Sequence, residues 1–300
     1  MSGLQEWTVE APWIHINSSL GEGPFFEKAT NTVRFVDIPQ KKLHTVSLTE
    51  GVSSLHTLEF DVPVTVTCDI EGVDPKDKIL VGLKHGLATV DRKTGAYEMV
   101  SEFNAERDPR LRSNDGAADP RGNFWVGTMS DIGFDLQPEG SLYHFPAGGS
   151  AGSEIVKDLS IPNSVGWSPD NKTMYFTHST AREIWAFDYD EATGKASNKR
   201  VFYQHDGSGE PDGFRVDVDG NIWSAVYGDA VVLKISPEGQ LIGKINMPTR
   251  NITCVQFVGT ELIITTARDE SGEGTSKEYG GAVFRIDVGT TGLDLYKYRL

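Results

Sequence analysis

The chain has 300 residues, 38% of them hydrophobic and 24% charged, with 32 glycines, the make-up of a globular protein built from short elements and tight turns. Its 43 acidic and 28 basic residues leave a net charge of −15, which repels phosphates and anionic lipid and excludes nucleic acid and membrane as partners. No apolar run approaches the roughly 18 residues that cross a bilayer, and the N-terminal stretch lacks the basic-then-apolar pattern of a leader peptide. The expected location is therefore cytoplasmic.

In chain order the apolar residues alternate or come in short runs at strand spacing, with hardly any helical periodicity. Turn signals such as "DPRGN", "SPDNK", "DVDGN" and "SPEGQ" fall between them, pairing Asp or Ser with a later Gly or Asn able to adopt positive φ. Six segments repeat one plan: an apolar strand, a turn, a strand rich in aromatic and β-branched residues, then a hairpin. They begin at "GEGPFFEKATNTVRFVD", "VTCDIEGVDPKDKILVG", "SNDGAADPRGNFWVGTM", "PNSVGWSPDNKTMYFTHS", "PDGFRVDVDGNIWSAVY" and "ITCVQFVGTELIITTA". The hairpin of the sixth is read as "AVFRIDVGTTGLDLYKYRL", and the polar stretch 268–281 before it as a flexible loop. Repeats of this length predict an all-β chain, a six-bladed β-propeller with about four antiparallel strands per blade, forming one domain over residues 1–300. Cys68 and Cys254, far apart in apolar settings, are expected to be core thiols, not a disulfide.

In a propeller the first strand of every blade lines the central channel. Equivalent starts carry Glu22, Asn114, Asn163 and Asp212, with Asn163 49 residues after Asn114 and Asp212 49 after Asn163. Units two and six offer Thr67 or Cys68, and Thr253 or Cys254. Any one Asn or Asp is an ordinary turn starter; four at matching positions converge on one axis. Converging carboxylates call for a cation, and an oxygen-only set favours a hard ion such as Ca²⁺, Mg²⁺ or Mn²⁺, with Zn²⁺ and Fe²⁺ open. No G-x-S-x-G nucleophile elbow occurs. His85 and His178 are candidates for the channel mouth.

The motifs "GEGP", "RSNDGAADPRGNFWVGTM", "NSVGWSPDNKTMY" and "PDGFRVDVDGNIW" resemble the senescence marker protein/gluconolactonase (regucalcin-like) family over nearly the whole chain. That resemblance implies a six-bladed propeller with one divalent cation in its channel, and hydrolysis of lactones, often of sugars. It places Glu22, Asn163 and Asp212 as metal ligands, Asp212 also as general base, and Arg112 and Asn114 as substrate contacts. Met129, at the end of G-T-M, and Asp131 join them on the pocket border. The chain departs from the family twice: "SDI" follows G-T-M where animal members carry an acidic pair, and His178-Ser179 stands where Asp-Ser is common. His178 is accordingly taken as a substrate contact peculiar to this chain. The expected partner is a small-molecule lactone, met by a monomer or weak homo-oligomer. An organophosphate hydrolase on the same ion, and a non-enzymatic calcium-binding scaffold, are the alternatives.

Overall fold

The computed structural model describes residues 3–103, 109–149 and 151–300. Six small antiparallel sheets follow one another along the chain and form the six blades of a β-propeller. The inner strands are Gly21–Glu27, Val64–Cys68, Leu111–Ala118, Pro162–Trp167, Glu210–Val216 and Ile252–Val258. Strands near the axis are largely buried, because both faces pack against neighbouring blades; Phe124–Ser130 is buried at every residue. Outer strands such as Lys195–Gln204 face solvent along much of their length.

The recurring turn motif has a physical job. In "DPRGNFW" the buried Asp119 carboxylate accepts the backbone N–H groups of Arg121 and Asn123 and the indole N–H of Trp125 at 2.9–3.0 Å. Asp217 makes the matching bonds to Asp219, Asn221 and Trp223 in "DVDGNIW". Each carboxylate thereby ties a turn to the large aromatic that packs between blades.

Two features differ from the sequence reading, both near the ends. Blade 6 has three strands, Ile252–Val258, Glu261–Thr266 and Val283–Asp287. The expected last hairpin does not form. Residues 291–299 instead cross the far end of the channel, bonding successively to Val216 and Val218, then Asp69 and Glu71, then Gly122 and Gly148. The alternation in "LDLYKY" serves to seat Tyr296 and the fully buried Tyr298 against blade cores, not a sheet edge. The outer side of blade 6 is met from the other end of the chain, where Ile14 bridges Val283. Gln5–Thr8 likewise adds to blade 5, parallel to Leu241–Asn246. The 268–281 stretch, expected as a loop, contains the short helix Gly274–Tyr279. The buried Asp269 carboxylate anchors it, accepting from Arg250, Ser271 and Ser276.

Blades 1 and 2 share a buried ionic cluster. Arg34, with no exposed surface, contacts Glu27 at 2.7 Å and Asp69 at 2.8 Å, donates to Thr67 at 2.8 Å, and lies 3.8 Å over the Phe25 ring. Removing one member of such a cluster strands the others. Arg34→Met is expected to lower the unfolding free energy by about 3–5 kcal/mol, read by denaturant titration; a loss under about 1 kcal/mol would show the cluster to be dispensable.

Candidate active site

All six inner strands break register with their neighbours near the same level, at Glu22/Phe25, Val64/Val66, Ser113/Gly116, Pro162/Val165, Pro211/Phe214 and Ile252/Cys254. A bulge of this kind re-aims side chains. Asn114, Asn163 and Asp212 occupy the bulge of their strands, and Glu22 immediately precedes its own. Glycine follows where the backbone is crowded: a Cβ on Gly213 would lie 2.3 Å from the Cys254 sulfur, and one on Gly116 would lie 2.2 Å from the Trp125 carbonyl. The equivalent position in blade 2 is Thr65, and neither Thr67 nor Cys68, which lie deeper; Thr253 holds the place in blade 6.

Contacts between these bulges stitch the blades together. Thr65 and Ser113 share a hydroxyl hydrogen bond at 2.7 Å, Asn114 donates to the Pro162 carbonyl at 2.9 Å, and Ser164 donates to Asp115 at 2.6 Å. The Phe214 N–H donates to Ser164 at 2.9 Å, and Thr253 to the Gly21 carbonyl at 2.6 Å.

At one end of the channel the bulges open into a cavity of about 290 Å³. Glu22, Arg112, Asn114, Met129, Asn163 and Asp212 line it, together with Leu20, Ile161, Ser179, Glu210 and Tyr227. Two of the expected contacts are not on that lining. Asp131 sits behind Arg112, 3.9 Å from its Nε, and is bonded by the Lys84 ammonium. His178 packs edge-on to Trp185 with ring centroids 5.1 Å apart, its Nε2 3.2 Å from the Thr180 hydroxyl. Burial and the nearby Lys199 hold its imidazole below the usual histidine range. His85 is half-buried in the turn beside Lys84.

The electrostatics of the floor are unusual. Glu22 is 6% exposed and Asp212 7%. Burial, then the Asp115 carboxylate, push Glu22 up to about 8. Burial, then Glu22 and Asp115, hold Asp212 well above the ordinary carboxylate range. The Asn163 amide donates to Asp212 and, at 3.2 Å, to Ser179. Its carbonyl oxygen is buried with no hydrogen-bond partner. Arg112 donates to the Ser113 carbonyl at 2.7 Å and to the Asn114 carboxamide oxygen at 2.9 Å, while its Nε–H is buried without an acceptor. Burial lowers its guanidinium to about 10.

Two close, desolvated carboxylates and an orphaned carboxamide oxygen form a hard-oxygen donor set, and they fit a divalent cation. Among the described residues no three His, Cys, Asp or Glu side chains converge as a metal site; here the third donor is an amide.

A family model described as the SMP-30/gluconolactonase/LRE-like region matches residues 20–268. The chain belongs to that family. It is 32% identical over 296 residues to pentonolactonase XacC of Haloferax volcanii, covering 93% of this chain and 94% of that one. It is 31% identical over 297 residues to regucalcin of Danio rerio, covering 95% and 96%. The crystal structure of a calcium-binding protein, regucalcin, from Agrobacterium tumefaciens superposes with a TM-score of 0.89 at 28% identity over 99% of both chains. The matched region contains every lining residue named above.

Sequence reasoning missed Asp115, Ser179, Glu210, Tyr227 and Lys84. Asp115 carried a signal, since it directly follows Asn114 as Ser164 follows Asn163. The others have no counterpart in the repeat. Below the floor lies a second, apolar chamber of about 60 Å³, closed by Leu293–Tyr296.

Proposed function

We propose that the protein opens sugar lactones to the corresponding hydroxy acids, using a divalent cation, Ca²⁺ first, held by Glu22, Asn163 and Asp212. The observation that carries this reading is the convergence of two buried carboxylates and an unpartnered amide oxygen on one cavity that Arg112 also lines. Relatives whose names state lactonase activity support it. The cavity lies at the small end for ligand pockets, which suits a single-ring lactone.

When bound, the ion supplies positive charge that polarises the lactone carbonyl and stabilises negative charge growing on its oxygen. The chain supplies the remainder. Asp212 accepts a proton from the attacking water as its oxygen bonds to the carbonyl carbon. The ring C–O bond then breaks, and that proton returns to the departing alkoxide, leaving a hydroxy acid. Arg112, on the cavity lining, donates a guanidinium N–H to a substrate oxygen, and Asn114, pinned by Pro162 and Arg112, keeps the guanidinium in place. Water attacks directly in this scheme, because no thiolate is at hand: burial pushes Cys68 up to about 12 and holds Cys254 well above its ordinary value.

The test is a panel of aldonolactones and one phosphotriester, assayed by acid release with each divalent ion added to stripped protein. Ion-dependent lactone opening is the expected result. Phosphotriester hydrolysis without lactone opening would replace this reading with that of an organophosphate hydrolase.

A further inference from the structure

We propose that Glu210 is a specificity-determining residue, making the cavity select neutral, polyhydroxylated lactones and reject those bearing a phosphate or carboxylate. The substrate class rests on the lactonase reading above; the charge selection does not.

Glu210 opens the inner strand of blade 5, two residues before Asp212, and the bulge that follows leaves both side chains on the same cavity. It lines the cavity and is half-buried. Among the described residues its carboxylate accepts no hydrogen bond. The cation nearest in influence, Arg182, is exposed and donates at 2.8 Å to the Gly207 carbonyl instead. Tyr227, its cross-strand partner, also lines the cavity, with a hydroxyl that makes no bond among the described residues.

The two walls are therefore complementary in kind. Blade 3 presents a donor, the Arg112 guanidinium. Blade 5 presents an acceptor, the Glu210 carboxylate, beside the Tyr227 hydroxyl. A carboxylate with open lone pairs at the wall of a polar cavity recognises O–H donors. A ring with hydroxyl groups on opposite sides satisfies both walls, and one lacking them leaves both unpaired.

Charge adds the second half. Glu22, Asp212 and Asp115 already crowd the floor, and a divalent ion offsets two of those three charges. Glu210 is a further negative charge at the wall, with Arg112 the one cation on the lining among the described residues. An anionic substituent directed at that wall meets a like charge, which is the means by which sites exclude wrong partners.

The experiment compares the wild type with Glu210→Gln, which keeps size and polarity and removes the charge. Both are assayed on glucono-1,5-lactone and its 6-phosphate with saturating ion. The wild type is expected to favour the neutral lactone by about 100-fold in kcat/KM. Glu210→Gln is expected to narrow that preference by about 10-fold, with KM for the neutral lactone rising a few-fold because an acceptor is weakened. Calorimetric binding of glucitol and glucitol 6-phosphate runs in parallel and needs no turnover. Tighter glucitol 6-phosphate binding in the variant, with no lactone opened by either protein, retires the lactonase reading and keeps the charge filter. An unchanged neutral-to-phosphate ratio in binding, or equal wild-type handling of both lactones, overturns the assignment of Glu210.

Discussion

Asp212→Asn is expected to lower kcat for lactone opening by about 10²- to 10⁴-fold at saturating ion, the range attributed to a positioned general base. The substitution is close to isosteric, and an Asn carboxamide oxygen still accepts the Asn163 N–H that the native carboxylate takes. Lost packing therefore does not account for the effect. The stability signature runs the opposite way. Asp212 is buried beside Glu22 and Asp115, both of which raise its proton affinity. Removing its charge relieves that repulsion in stripped protein, so the ion-free variant should melt above ion-free wild type, while gaining less from added ion. A variant with near-normal kcat at saturating ion would sink the base assignment. One that melts lower in the ion-free state would sink the account of the floor as mutually repelling carboxylates.

Stripping the ion is expected to abolish turnover and to lower the melting temperature. A ligand present at 100 times its dissociation constant stabilises by about 2.7 kcal/mol. For a chain of 300 residues that corresponds to roughly 4 °C. The pH dependence sharpens the test. Glu22 stands near 8 in the folded, ion-free chain against an ordinary 4.5. A carboxyl raised on folding stabilises fully below its unfolded value, and that stability is lost as pH rises toward the folded one. Stripped protein should therefore lose stability between about pH 4.5 and 8, whereas ion-loaded protein should not, because the cation takes over from the protons. Differential scanning fluorimetry across that window, with and without chelator, measures both curves. Parallel curves would show that no cation is bound at Glu22, and lactone opening in chelator would remove the ion from the mechanism.

The sequence made the propeller legible because each blade reuses one turn chemistry, seen in Asp119 and Asp217 holding their indoles. It singled out Asn114, Asn163 and Asp212 because one repeat length carries a bulge residue to the next bulge, and those three side chains do line a common cavity. What stayed hidden lies outside that period. Lys84 reaches from a turn of blade 2 into blade 3, and nothing in the local sequence marks where its ammonium ends. Glu210 and Tyr227 are neighbours only through strand pairing. The last nine residues alternate like a strand yet have no sheet edge to join, since alternation records which side is buried and not what buries it. The helix Gly274–Tyr279 buries none of its residues, so it leaves no amphipathic stripe to read.

The pairing of Ile14 with Val283 bears on how the molecule is made. At about 5–20 residues per second, a ribosome needs roughly a quarter of a minute to a minute to extend the chain from one residue to the other. Blades 1 to 5 have all emerged by then, while the N-terminal segment still waits for its partner. The circle shuts as a late event of synthesis, and until it does the outer edge of blade 6 stands open. A chaperone that guards this protein would be needed most during that interval.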